Sequence, residues 1–349
     1  MPNRSHADDV EIVAEDIDPG SESGYEQDEE ASSASITSSI LDFKTENGRR
    51  YHALSAGKYA LPNDEVQSPS QKSPWLLGRF RLTSTACLGT DLQHYVWLIT
   101  LGGKMALCPK EGGATRVLDI GTGTGIWAVD YADAHPEATV IGVDLSPIQP
   151  AFVPPNCKFE IDDLEQDWTW SQPFDFIFCR MMLGSFSDFP NVVKTAFENL
   201  EPGGYLEVQD MGLFAQSDDG SLSPSSPLLS WAHHIHDAAA AARRPVFPID
   251  QYRKYLADAG FVDIVEVRRK WPTNQWPRDK RFKELGALTY GNIGAGLEGL
   301  SIAHFTRGLG WTKEETLMMC ANVRAELRNL RVHAYWPAIV VYGRKPGKV

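Results

Sequence analysis

The chain has 349 residues, 42% hydrophobic and 10% aromatic, which suits one elaborated catalytic domain and is too short for three. Its net charge of −13 is concentrated: residues 1–40 hold eleven acids against one base, Arg4, so −10 sits there and −3 on the rest, and a near-neutral body carries no electrostatic footprint for nucleic acid. No stretch approaches the ~18 uninterrupted apolar residues of a membrane span, the N-terminus lacks the basic and apolar segments of a secretory signal, and five scattered cysteines without a C-x-x-C pair suit a reducing, intracellular compartment.

Residues 1–40, acidic and rich in serine, cannot bury enough apolar surface to offset their ordering entropy, and a disordered tail is expected there. Order is expected to begin at Ile40–Phe43 and to run through the aromatic-basic stretch Arg49–His52. Residues 66–90 mix Ser, Pro and Gly with Trp75, Leu76, Leu77 and Phe80 in neither the helical nor the strand period, a long irregular insert in a compact domain. Helical spacing returns at Leu92, Tyr95, Val96 and Leu98.

From Arg116 strands and helices alternate. Apolar runs at Val117–Ile120, Thr139–Val143, Cys157–Ile161, Phe174–Cys179 and Tyr205–Val208 predict five strands, with helices at Trp127–Ala134 and Val192–Leu200. Such alternation indicates a parallel sheet covered on both faces. Three more helices are expected at Ser230–Ala242, Ile249–Ala259 and Lys313–Asn329, and two late strands at Val262–Arg268 and Ala338–Tyr342. The predicted architecture is α/β: a Rossmann-like, doubly wound sheet of seven strands, the last antiparallel. It occupies residues 41–346, with residues 225–335, including the Gly-rich stretch Gly291–Gly299, forming a C-terminal helical cap.

The strongest signal is Val117-Leu118-Asp119-Ile120-Gly121-Thr122-Gly123-Thr124-Gly125, a strand that runs into a Gly-rich turn and opens a helix. Glycine permits close backbone approach and positive φ, and a helix N-terminus offers free N–H groups. The spacing is G-x-G-x-G rather than the G-x-G-x-x-G of a pyrophosphate site, and Asp119 would repel a pyrophosphate. A carboxylate there suits the ammonium and sulfonium of S-adenosylmethionine (SAM). Asp144, closing the second strand about twenty residues on, stands where such folds bind ribose hydroxyls. Asp162-Asp163 follows the third strand, suited to the adenine amino group, and Pro202-Gly203-Gly204 turns into the fifth.

These four signatures, in order over 116–208, resemble the class I SAM-dependent methyltransferases. ENGRRYHA (46–53), VLDIGTGTGIWAVDYADAHPEATVIGVDLSPIQP (117–150), FEIDDLEQDW (159–168), SDDGSL (217–222) and HAYWPAIVVYGRKP (333–346) are similar to the fungal LaeA-type members. The resemblance implies that Asp119, with the Gly121, Thr122, Gly123 and Gly125 loop, holds the methionine part. It implies ribose at Asp144, adenine against Leu145, and the adenine edge at Asp163 and Leu164. It further implies either an enzyme methylating the O or N of a fungal secondary metabolite or a regulator of secondary metabolism working in a nuclear protein complex; a SAM-binding protein without catalysis is a third reading. Cytoplasm and nucleus both stay open as its location, and neither nucleic acid nor membrane is an expected partner.

Arg180, directly after the fourth strand, is a candidate substrate contact, as are Trp231 and His234 in the helix WAHHIHDAAAA. His233 and His236 share a helical face, but with no carboxylate at i+4 and no cysteine cluster no metal is expected. No residue is singled out as catalytic. In the relatives, a stretch like Leu61–Glu65 runs almost directly into one like Asp91–His94. The intervening 66–90 is therefore read as a translated intron, opening with a valine, whose codons begin GT as splice donors do.

Overall fold

The computed structural model describes residues 12–15, 44–47, 49–51 and 88–347. The expected order at 40–43 and nearly all of the insert 66–90 lie outside these. Only the insert's last three residues are described, as the start of helix α1 (Leu88–Thr100).

The strands are β1 (Lys44–Glu46), β2 (Arg49–Tyr51), β3 (Arg116–Ile120), β4 (Thr139–Asp144), β5 (Cys157–Ile161), β6 (Phe174–Arg180), β7 (Leu200–Met211), β8 (Val262–Pro272) and β9 (Tyr335–Arg344). The first two pair as a hairpin; the other seven form one sheet in the order β5-β4-β3-β6-β7-β9-β8. Strands β3 to β7 are parallel and β9 runs antiparallel between β7 and β8, as expected.

Alternation along each strand sorts side chains between the two faces. Leu118, Ile120, Ile141 and Val143 pack, with Leu206 and Val208, against α3 (Phe189–Asn199) and α5 (Tyr252–Ala259). Val117, Val140, Phe176 and Phe178 face the other way, onto Trp127 and Tyr131 of α2 (Ile126–Ala134). Both faces are therefore apolar, and the strands read as continuous hydrophobic runs.

The antiparallel half of the sheet carries the helical layer. Its helices are α4 (Pro227–Ala241), α6 (Lys280–Thr289), α7 (Ala295–Ala303) and α8 (Lys313–Leu327), packed with α1 around Trp97, Trp231, Trp271, Phe305 and Trp336. Starts are capped by Ser226, Asp279 and a Thr312–Glu315 capping box. The Gly-rich stretch is helical: a π-helical turn at Tyr290–Gly294 joins α6 to α7, and a second follows at His304–Gly308.

One expectation is corrected. Residues 12–15, inside the acidic tail, are paired with the domain: Ala14 bridges Pro277, Glu15 N–H donates to Trp276 C=O at 3.0 Å and Arg278 N–H to Val13 C=O at 2.7 Å. Ile12-Val13-Ala14 is the longest apolar run in that tail, and Lys283 pairs with Glu15 beside it. Composition averaged over forty residues hides a short segment that docks through a single β-bridge. No described helix is long and apolar enough to cross a membrane.

Candidate functional site

Parallel strands deliver their following loops to one edge of a sheet, and here the end of β3 is the centre of that edge. The Asp119 carboxyl is only 3% exposed. It accepts from the Thr122 hydroxyl at 2.6 Å, and burial pushes its pKa up to about 7, opposed by that hydrogen bond and by the Arg180 charge. The loop that follows has φ of 66° at Gly121, 57° at Gly123 and 81° at Gly125, all in the left-handed region. A Cβ at Gly121 would lie 2.2 Å from the Met182 sulfur and one at Gly125 2.3 Å from the Phe159 ring. A side chain is strained at both positions by the positive φ, and at Gly125 it also meets an aromatic ring. Gly125 also stands at the N-cap of α2, with no side chain capping it.

Asp144, at the end of β4, braces this loop from the side: Gly123 N–H donates to one carboxylate oxygen and Ser146 N–H to the other, both at 2.9 Å. Leu145 beside it is half-buried. Asp163 follows β5 and accepts from Glu165 N–H at 3.2 Å, with Leu164 buried next to it. The structure thus brings Asp119, the Gly121–Gly125 loop, Asp144, Leu145, Asp163 and Leu164 to consecutive strand ends on one edge. Arg180 ends β6, whose register places Cys179 beside Ile120, so its charge stands near Asp119.

Trp231 and His234 are not part of this edge. Trp231 is buried in the helical layer, its indole N–H donating to Ser301 at 2.8 Å. His234 packs against Phe305 and Trp311, at centroid distances of 5.9 and 4.8 Å. Among the described residues no three His, Cys, Asp or Glu side chains are grouped to hold a metal.

Two sets of residues escaped the sequence reading. From α1, Asp91 accepts from the Thr124 hydroxyl at 3.0 Å, and fully buried His94 joins Arg180 to Asp130. Burial raises the Asp91 pKa and lowers that of His94. The available signal was the i, i+3 spacing of Asp91 and His94, which puts them on one helical face. The second set ties the rim: Arg244 reaches Glu165 at 2.6 Å and Ser185 C=O at 2.7 Å, while Glu165 also accepts from the Ser187 N–H and hydroxyl. Although burial opposes it, these hydrogen bonds and Arg244 hold the Glu165 pKa at about 2, so this latch between loops stays ionised.

A recess of about 380 Å³ lies at the opposite end of the strands, lined by Thr115, Arg116, Thr139 and Asp175 among others. Of its two carboxylates, Asp175 is engaged by Lys110 and by the N–H groups of Thr115 and Arg116, and Glu201 is exposed to solvent, so the recess offers no buried acid free for a cation.

The edge beside β3 offers a desolvated acid for a cation, backbone approach without side chains, and a second acid one strand away. That set fits the amino-acid and ribose parts of a sulfonium nucleoside and disfavours a pyrophosphate.

A family model described as a methyltransferase domain matches residues 94–266. The methyltransferase pytC of Aspergillus terreus is 37% identical over 320 residues, covering 91% of this chain and 93% of that protein. The probable methyltransferase tdiE of Emericella nidulans is 37% identical over 73% of this chain and 80% of its own. The protein-methionine methyltransferase laeA of Emericella nidulans is 32% identical, covering 87% of this chain and 77% of that one.

Proposed function

Because this chain belongs to the methyltransferase domain family, we propose that it transfers the methyl group of SAM to an oxygen or nitrogen of a fungal secondary metabolite. The observation that carries this is the buried Asp119 carboxyl beside three positive-φ glycines, with Asp144 braced against the same loop. Asp119 would take the ammonium, Asp144 the ribose hydroxyls, and Leu145, Asp163 and Leu164 the adenine. SAM supplies an activated methyl on a sulfonium, so the protein's task is to align the acceptor and keep water out. No side chain is assigned as catalytic.

Calorimetry tests the assignment. SAM should bind the purified protein, and Asp144→Ala should weaken it by about 1–3 kcal/mol through loss of charge-assisted hydrogen bonds. No binding to either protein overturns it. A metabolite profile of the deletion strain then separates the roles: one lost methyl group supports a single-pathway enzyme, many silenced pathways a regulator.

One observation favours a second reading, methylation of a protein methionine. The Met182 sulfur lies against Gly121 of the cofactor loop, and a thioether is a nucleophile with no proton to lose. Peptide mass spectrometry after incubation with SAM checks it: a methyl group on Met182 or on a co-purifying protein supports this reading, and unmodified peptides beside a methylated small molecule support the first.

A further inference from the structure

The polar set around Arg180 is too ordered for a surface cation. Arg180 Nη2 lies 3.0 Å from His94 Nδ1, and His94 Nε2 lies 3.0 Å from Asp130 Oδ2. A guanidinium can only donate, so Nδ1 must accept and the ring proton must sit on Nε2, facing Asp130. The histidine is neutral in this arrangement, and burial keeps it so by lowering its pKa. Other ionisable groups nearby are Asp91 and Tyr95 on α1 itself and Asp119 on β3, the last close enough to Arg180 for their charges to couple. Arg180 is not sealed in: it retains partial exposure at the sheet edge that carries the Gly121–Gly125 loop.

A desolvated guanidinium and a desolvated carboxyl on neighbouring parallel strands form a pair of opposite sign, suited to a zwitterion. An amino-acid group presents an ammonium and a carboxylate together. Asp119 matches the first and leaves Arg180 facing the second. A long arginine side chain carries substantial rotamer entropy, and a fixed acceptor behind it removes that cost before the ligand arrives.

We propose that His94 is a positioning residue which, braced by Asp130, aims the Arg180 guanidinium at the carboxylate of the cofactor's amino-acid group, opposite the ammonium held by Asp119. This rests on the SAM reading above. The brace comes from α1 and α2 and the guanidinium from β6, so the geometry couples the segment before the first sheet strand to recognition of the amino-acid end. A consequence is selectivity: the site prefers nucleosides that carry the amino-acid group over those that lack it.

Calorimetry with S-adenosylhomocysteine and with methylthioadenosine, which lacks that group, tests this. The wild-type protein should bind S-adenosylhomocysteine the more tightly. Arg180→Gln and His94→Phe should each collapse the ratio of the two affinities by about tenfold or more while leaving methylthioadenosine binding nearly unchanged. His94→Asn, which offers an oxygen acceptor near the place of Nδ1, should restore most of the ratio. If His94→Phe lowers thermal stability but leaves the ratio intact, His94 is only a core residue and the proposal falls. An unchanged ratio in Arg180→Gln removes the carboxylate contact itself. If the wild-type protein binds neither nucleoside, the SAM reading fails with it.

Discussion

Two buried aspartates in this molecule have their pKa pushed up by burial to about 7, and their surroundings differ completely. Asp210, near the end of β7, is spent on the interior: it accepts from the Tyr252 hydroxyl at 2.9 Å and from Met211 N–H at 2.9 Å, under α5. Asp119 has one hydroxyl partner, Thr122, and is followed by three positive-φ glycines. The helical layer repeats the first pattern, with Trp231 donating to Ser301 and Trp271 to Thr100. A perturbed acid is therefore not sufficient evidence of a site. What distinguishes the β3 edge is a loop of three positive-φ glycines beside the acid.

The sharpest way to break this comparison is to distort that loop. Gly125→Val imposes a β-branched side chain at φ 81° and against the Phe159 ring, and SAM binding should fall below detection by calorimetry. Retained affinity would show that the loop does not cradle the ligand. The converse variant is Trp231→Ala in the helical layer. It should destabilise the protein by about 3–5 kcal/mol in urea titrations, through lost packing and an unpaired Ser301, and leave SAM affinity unchanged. A large affinity loss would place Trp231 on the ligand after all.

The two aspartates separate by pH. Asp119 should be largely protonated in the free protein below about pH 7 and must ionise to meet an ammonium. SAM affinity should therefore fall with pH below about 7, by up to about tenfold per unit, with proton release on binding. The sign for folding is opposite. The folded pKa lies above the ordinary 3.8, so the group's stabilising contribution is full below about 4 and is lost as pH rises towards 7. Asp119→Asn should flatten the affinity profile while Asp210→Asn leaves it intact; calorimetry in buffers of different ionisation enthalpy reads both. An identical slope in wild type and Asp119→Asn would sink the assignment.

The parallel half was legible in the sequence because strands buried on both faces must be apolar throughout, and their ends carry the acids Asp119, Asp144 and Asp163. Length was read less well. β7 starts at Leu200 rather than Tyr205, since Phe174 of β6 pairs with Leu200 across an irregularity in the register. The His94–Asp130 and Arg244–Glu165 pairs join residues 36 and 79 apart, and no local period announces them. Trp231 shows the same limit from the other side: helical spacing fixes which face it occupies, not whether that face meets a cleft or a core.

The smallest expected effect concerns the acidic tail. The pairing of residues 12–15 with 276–278 comprises two backbone hydrogen bonds, the Glu15–Lys283 pair, and a Val13 that stays 57% exposed. Each backbone bond contributes about 0.5–1.5 kcal/mol net, and a solvent-exposed ion pair about 0–1. Against this, fixing each residue costs about 1–2 kcal/mol of backbone entropy. These gains do not exceed that entropy, so the segment docks without anchoring the fold. Removing residues 1–11 should leave Tm unchanged, and Glu15→Pro, which deletes the donor to Trp276, should lower it by no more than about 2 °C. Differential scanning calorimetry on both proteins decides this. A fall of many degrees with Glu15→Pro would mean that the tail supports the helical layer as the sheet does, and the contrast between a self-sufficient domain and its acidic leader would be lost.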